Sequence, residues 1–390
     1  MDILEQRFYK LNYRLLSFLG LWPYQKSRLR RMHIINIALL SFNMTQFLKM
    51  FTSKGNFGVI IEVIPIWTTM MNVAIKYHTY NMGIVNIEKL LNNMIIDWQT
   101  WKSKEEVKIM EEYAQQARFY TIAYAINIYF TAMLFLGSAF VPCILDVIAP
   151  LNASRPLKPP ILVEYLVDQE EHFYPIYVHM CLTVTLSVTT LVVADTQLMI
   201  FASHVCSVFA VIGFRLEHFL KDACTVDNWT KRQRKKYIDN LALSINGHKR
   251  ALEFVDRIES SFQYSLLVQC GFNIMCMSIS LYRIAITIEE KSIEVLRYII
   301  FLIAQLFHIF CTCYSGQRIM NHSSDVAWKA YSSMWYDAPV EINKLLLLVI
   351  RRSQETSQLT AGKIFVFCFE SFSTILQTST SYFMVLSSVQ

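Results

Sequence analysis

A row of hydroxyl side chains that ends in two valines runs along the last apolar segment of the chain. The row consists of Ser371, Thr374, Thr378, Ser381 or Tyr382, Val385 and Val389. Steps of three and four residues place these positions on one face of an α-helix. Such a face fits a water-filled conduit closed by an apolar constriction, which would require several subunits. It also fits a helix–helix contact made by small hydroxyl residues, and the row alone leaves both interpretations open.

No other group of residues has the spacing of a catalytic or metal-binding site. The G-x-S-x-G, P-loop, G-x-G-x-x-G, H-E-x-x-H and kinase signatures are absent from the sequence. The nine cysteines form no C-x-x-C pair, and no histidine spacing completes a zinc site. The basic run at 231–236 is interpreted as a solvated face near anionic lipid. We therefore predict no enzyme, no cofactor, no metal ion and no nucleic-acid partner.

The composition predicts a helical membrane protein. Hydrophobic residues make up 54% of the 390 residues and charged residues 17%, whereas a soluble domain carries roughly 25% charged residues. Seven segments qualify, or nearly qualify, to cross a bilayer core of about 30 Å. They are residues 32–51, 57–82, 119–145, 173–214, 260–282, 298–317 and 364–389. The fourth is too long for one crossing, so its inner half is expected to project beyond the bilayer.

Four charged residues inside these segments are candidates for function, because charge in a bilayer is costly. Glu62 and Lys76 lie near opposite ends of the second segment, and we expect both to reach the interface. We expect Asp195 to lie near the inner interface, and Glu370 to lie near cytoplasmic water at the start of the last segment. None has the midplane position of a proton relay, which disfavours a transporter.

The distribution of Lys and Arg predicts the orientation. One side of the predicted membrane carries 27 of these residues in the N-terminal tail and three loops, and the other side carries six. The positive-inside rule then places the N-terminus in the cytoplasm and, after seven crossings, the C-terminus outside. The fold class is therefore an all-α membrane protein with seven transmembrane helices. Of the four N-x-S/T sequons, only the one at Asn152 then faces the lumen during synthesis.

Residues 331–390 resemble the C-terminal signature of insect odorant receptors. The matching positions are Trp335–Tyr336, Pro339, Arg352, Gln354, 359–362 (LTAG) and 378–386 (TSTSYFMVL). The family usually has proline where this chain has Thr356. The length, the seven segments and the N-terminal Leu19, Gly20, Trp22 and Pro23 also resemble the family.

The resemblance implies an odorant-gated, non-selective cation channel in the plasma membrane of olfactory sensory neurons. Four subunits would surround a central pore lined by the last helix, and a tuning subunit would pair with a shared co-receptor as a heterotetramer. The loop at about 206–259 is short, which is typical of a tuning subunit. The pore positions implied are Val385 at the gate, Val389 at a second constriction, Ser388 between them, and Ser381 and Thr378 further in. The partners implied are a small volatile odorant, the co-receptor, the lipid bilayer and permeant cations.

The resemblance also implies an odorant pocket in the outer half of helices two, three, four and six. The outer ends of these helices supply the candidates, which are Ile64, Trp67, Thr68, Leu134, Gly137, Ser138, Val141, Phe173, Tyr177, Cys181, Tyr298 and Phe301. The chain then divides into a cytoplasmic N-terminal segment (1–31), six transmembrane helices (32–320), a cytoplasmic subunit-contact region (321–362) and the pore helix (363–390). Within the contact region, the apolar residues 342–350 resemble the segment where subunits join.

Three alternatives remain. An insect gustatory receptor shares this architecture, but its ending typically reads T-Y, apolar residues and Q-F, whereas this chain has Ser381 and ends in Ser388–Val389–Gln390. A metabotropic seven-helix receptor would have the opposite charge distribution and a D-R-Y-like motif at the third helix. A transporter would show flux without an ionic current.

Overall fold

The computed structural model describes residues 8–149, 155, 157–220, 229–288 and 293–388. Asn152 and Val389, predicted as a glycosylation site and a constriction, lie outside the described residues. The described helices, named α1 to α11 in chain order, are Lys10–Leu19, Arg28–Thr52, Phe57–Met82, Ile84–Thr100, Lys104–Gly137, Val141–Ile148, Phe173–His218, Lys231–Thr287, Ile293–Tyr331, Val340–Gln354 and Phe369–Ser388. A hairpin of β1 (Thr360–Ala361) and β2 (Phe365–Val366) precedes α11.

The all-α membrane fold predicted from the composition is confirmed. Within the described residues, six helices are long and apolar enough to cross a membrane, and they coincide with the first six predicted segments. The seventh predicted segment forms α11, which has 20 residues and interrupts its apolar surface with hydroxyl side chains. A helix of that length spans about 30 Å at 1.5 Å per residue.

The two longest helices extend well past any bilayer. The helix α7 has 46 residues and α8 has 57, which correspond to lengths of about 69 and 86 Å. The basic run at 231–236 forms the first turns of α8, where the Thr230 and Gln233 side chains and backbones cap each other. The part of α8 before Ser260 packs with α4 and the inner part of α7 outside the predicted bilayer.

The inner part of α7 is the centre of this packing. Every residue from 192 to 209 is buried, so this stretch is covered on all sides, including the polar residues Asp195, Gln197 and His204. The surrounding helices are α1, α3, α4, α5, α8 and α9. This region forms the largest hydrophobic cluster of the described chain.

The hairpin joins α10 to α11 and packs against α8, and Phe367, which directly follows the hairpin, lies against Gly316 of α9. Thr360 pairs with Val366 and Ala361 with Phe365. Gly362 has φ of +58°, a conformation that glycine adopts without the steric cost of a Cβ atom. The LTAG sequence at 359–362 thus supplies the strand and the turn that reverse the chain before α11.

Candidate functional site

A cavity of about 130 Å³ lies between α3, α5, α7, α8 and α9. Its lining includes Ile66, Thr69, Met70, Asn72, Ile128, Thr131, Ala132, Phe135, Ile161, Val184, Val188, Leu191, Phe272, Asn273, Cys276, Phe301, Ala304, Gln305 and His308. Most of these side chains are aliphatic or aromatic. A mostly apolar cavity with a few polar groups is typical of a site for a small organic molecule.

The polar side chains collect at one end of this cavity. In the predicted orientation α3 and α9 run inward, so Asn72 lies deeper than Ile66, and Gln305 and His308 lie deeper than Phe301. The opposite direction of α8 places Asn273 on the same inner side. The cavity is therefore apolar towards its outer end and polar towards its inner end.

A smaller cavity of about 30 Å³ adjoins the outer end. It shares Ile66, Phe135 and Phe301 with the main cavity and adds Tyr298 and Arg297. Among the twelve predicted pocket residues, Phe301 lines both cavities and Tyr298 lines the smaller one.

The predicted residues of α3 face other neighbours. The Thr68 hydroxyl donates to the Ile64 carbonyl at 2.8 Å and lies 2.8 Å from the Cys276 sulfur. Ile64 packs in a cluster that contains Phe383 and Leu386 of α11. Trp67 is half-buried and does not line either cavity.

The predicted residues of α5 to α7 form a layer beyond the cavity. The Tyr177 hydroxyl donates to the Leu136 carbonyl at 3.0 Å, and its ring stacks on Phe173 at 5.7 Å. Leu134 and Gly137 are exposed, whereas Ser138, Val141 and Cys181 are half-buried. On α5 the cavity lining extends inward from Phe135 to Ile128, and on α7 it lies at Val184, Val188 and Leu191, about one to three turns deeper than Cys181.

The α8 residues Phe272, Asn273 and Cys276 line the cavity but were not predicted from the sequence. Their helix was not among the four that the resemblance pointed to. One signal was available, because Asn273 is an amide residue inside a predicted membrane span.

Beneath the cavity, four buried side chains form an ionic network. Lys76 is paired with Asp195, and His308 Nε2 lies 3.0 Å from the second carboxylate oxygen. The Tyr124 hydroxyl donates to that same oxygen at 2.7 Å. Lys76 and Asp195 are each only 4% exposed, so the prediction that Lys76 reaches the interface was wrong, whereas the position of Asp195 near the inner interface stays a prediction. Pairing with charge and hydrogen-bond donors allows both groups to stay buried.

The face of α11 away from the bundle carries the predicted pore positions. Ile375 and Ser379 are buried, and the Ser379 carbonyl accepts a hydrogen bond from Ser278 of α8 at 3.0 Å. Ser381, Val385 and Ser388 are exposed. Thr378 lies at the edge of that face, half-buried.

The hydroxyl protons of this face are used within the helix. Thr374, Thr378 and Ser381 donate to the carbonyls four residues earlier at 3.1, 2.8 and 2.9 Å. A hydroxyl keeps two acceptor lone pairs when its proton is donated. The outward face therefore presents oxygen acceptors, which interact favourably with cations.

Comparison with known proteins gives consistent matches. A family model described as 7tm Odorant receptor matches residues 56–380. The chain is 22% identical to Odorant receptor 46a, isoform A, of Drosophila melanogaster over 98% of both chains. It is 29% identical to Odorant receptor 10 of Aedes albopictus over 37% of this chain and 38% of the relative. A match to the odorant receptor coreceptor of Aedes aegypti, at 26% identity, covers 40% of this chain and 33% of the relative.

The fold is shared with a solved structure. The insect olfactory receptor OR5 from Machilis hrabei, in complex with eugenol, superposes with a TM-score of 0.80 over 98% of this chain and 99% of that chain. The identity is 13%, so this likeness concerns the fold.

Proposed function

We propose that this chain, which belongs to the odorant receptor family, is the tuning subunit of an odorant-gated, non-selective cation channel. A small volatile molecule would bind in the main cavity and favour an open state, because it binds that state more tightly. The homologous OR5 structure contains eugenol, which supports a small organic ligand. The chain would act in the plasma membrane of olfactory sensory neurons, with the N-terminus inside.

One observation carries the proposal, namely that the helices lining the cavity also contact the candidate pore helix. On α3, Ile66 lines the cavity and Ile64 packs in the cluster with Phe383 of α11. On α8, Cys276 lines the cavity and Tyr282 belongs to that cluster. A ligand that moves α3 or α8 would therefore move α11 through direct packing.

The outward face of α11 supports a pore shared between subunits. This face is polar and points away from its own bundle, so the bundle alone does not enclose it. Four copies with their α11 helices around one axis would turn the acceptor oxygens of Thr378 and Ser381 towards permeant cations. Val385, which is 58% exposed, would then close the pore by excluding water.

The surface of α10 supports assembly with the co-receptor. Leu347 and Leu348 are more than 60% exposed, and so is the nearby Tyr336. Contiguous apolar surface of this kind outside a membrane is typical of a protein–protein contact. The curated relatives include odorant receptor coreceptors, which supports the heterotetramer proposed.

Co-expression with the co-receptor in oocytes, with currents recorded across an odorant panel, tests the proposal. We expect odorant-evoked cation currents, and we expect Val385→Asp or Val385→Ser to change basal current or ion selectivity. The matched control is Ser387→Asp, which alters an exposed residue two positions away, on the opposite side of the helix from Val385. Absence of odorant-evoked current would refute the channel, and unchanged currents in both Val385 variants would refute this pore assignment.

A further inference from the structure

Two acceptor oxygens at the inner end of the main cavity have no partner in the described part of the chain. They are Oδ1 of Asn72 and Oε1 of Gln305. Asn72 is 4% exposed and Gln305 is 7% exposed, and both side chains line the cavity. A buried carbonyl oxygen without a donor is destabilising, so such groups are usually hydrogen-bonded in proteins.

The other polar groups at this end do not supply the donor. The Thr69 hydroxyl donates to the Pro65 carbonyl at 2.8 Å. His308 Nε2 lies 3.2 Å from Lys76 Nζ and 3.0 Å from Asp195. The two amide oxygens thus remain without a donor, on side chains that line the cavity but with each oxygen enclosed by protein, and rotation of the terminal amide group would turn either oxygen towards a ligand.

The volume of the cavity limits the size of the apolar part of the ligand. A cavity of about 150 Å³ engineered in another protein binds benzene, and this one is about 130 Å³. Its outer part is lined by Phe135, Val184 and Phe301. These walls suit an apolar body of about the size of a benzene ring.

We propose that the main cavity selects small alcohols and phenols, with the ligand hydroxyl donating to Asn72 or Gln305. This inference rests on the proposed function only in taking the cavity as the odorant site. The hydroxyl points inward and the apolar body points outward towards Phe301. An ether or aldehyde of the same size has no proton to donate, so it leaves both amide oxygens unpaired and binds about tenfold more weakly or worse.

A set of small ligands separates these chemistries. Benzyl alcohol, 4-methylphenol and anisole are isomers, and of the three only anisole lacks a hydroxyl. Benzaldehyde is an aromatic acceptor without a donor. Binding to the purified full chain in detergent is measured from the rise in unfolding temperature with ligand concentration. We expect the two hydroxyl compounds to bind at least about tenfold more tightly than anisole or benzaldehyde.

Substitutions test whether Asn72 and Gln305 cause the preference for hydroxyl compounds. Asn72→Leu and Gln305→Met keep the side-chain shape and remove the acceptor, and the double variant is expected to reduce the preference to about threefold or less. Thr183→Val is the matched control, because this buried hydroxyl already donates to the His179 carbonyl within α7 at 2.8 Å and lies outside the cavity lining, and it is expected to keep the preference. The wild-type ligand series decides the question by itself if a variant fails to fold.

Two results would overturn the inference, namely anisole binding as tightly as its isomers, and no binding by any of the four compounds. Odorant-evoked currents from other ligands would in either case leave the channel proposal intact. Conversely, hydroxyl-selective binding without any current would support this inference and refute the channel.

Discussion

The outer and inner stretches of α7 differ in how fully their neighbours cover them. In the outer stretch, Tyr174, Val178 and Leu182 are 68, 55 and 61% exposed, and Val184 and Val188 on the opposite side line the cavity. In the inner stretch, all residues from 192 to 209 are buried. The outer half of the bundle therefore has side chains that can change without disturbing close packing, whereas the inner half is the scaffold.

Polar side chains follow the same division. In the inner half, His204 and Arg250 approach the Asp97 carboxylate within 3.1 and 3.2 Å, and Glu106 is paired with Arg215. In the outer half, Glu62 pairs with Arg283 at 3.2 Å while staying 32% exposed. The cavity ends at the boundary between the outer and inner halves, where Asp195 binds Lys76, His308 and Tyr124. Ligand preference and stability should thus respond to different substitutions.

The largest effect is expected from Asp195→Asn, at the boundary. The substitution keeps the side-chain shape and leaves the buried Lys76 charge without its counter-charge. Breaking a buried ion pair in this way costs about 3–5 kcal/mol. We expect a strong fall in the unfolding temperature of the purified protein.

The double variant Lys76→Met with Asp195→Asn is the control for this prediction, because removing both charges avoids the penalty. We expect it to unfold at a higher temperature than Asp195→Asn alone. A single variant as stable as the wild type would show that the network does not support the scaffold.

The next effect is expected from Gly316→Ala on α9. A Cβ atom at this position would overlap the carbonyl oxygen of Phe367, between the hairpin and α11. Since the obstacle is backbone, the hairpin must shift, and overpacking of this kind costs about 1–3 kcal/mol. Gly271→Ala is the matched control, since nothing lies within 4 Å of a Cβ atom there. Equal unfolding temperatures for the two variants would contradict the close contact.

The sequence predicted where the helices lie along the chain better than it predicted which face of each helix lines the cavity. Apolar length located the spans, and the resemblance pointed to the depth at which Phe301 lies. Ile64 and Trp67 were chosen at that depth, but the lining turned out to be Ile66, Thr69 and Met70. When a helix is apolar on all sides, its periodicity does not indicate which face meets a cavity.

Long-range pairing was the other feature that local sequence could not provide. Lys76 and Asp195 lie 119 residues apart, and each on its own resembles a charge near an interface. Their pairing depends on how α3 and α7 pack. The same limit explains why Asn273 of α8 was overlooked as part of the cavity.

A smaller effect on stability is expected from a change of pH. It tests the part of the inner half that lies outside the predicted bilayer. Burial, with a contribution from the positive charge of Arg352, lowers the pKa of His248 from 6.5 to about 4. Between these values the unfolded chain binds a proton that the folded chain does not, so stability falls as the pH drops from 7 towards 4. At pH 5.5 the loss is about 1 kcal/mol. We expect His248→Gln to reduce the difference in unfolding temperature between pH 7.5 and 5.5, and the exposed His33→Gln to leave it unchanged.

The smallest effect on stability is expected from Phe301→Ala in the outer half, because this ring already borders a cavity and is only half-buried. We expect a loss of about 1 kcal/mol or less, well below the 3–5 kcal/mol typical of a buried phenylalanine. Phe201→Ala, at a site that is 0% exposed in the inner stretch of α7, is the matched comparison and should lose the full amount. Odorant potency should show the opposite order, with Phe301→Ala shifting the dose–response of the co-expressed channel and any assembled Phe201→Ala channel keeping the wild-type preference. If Phe301→Ala instead cost as much stability as Phe201→Ala and left potency unchanged, the division between an adaptable outer half and a fixed inner half would be wrong.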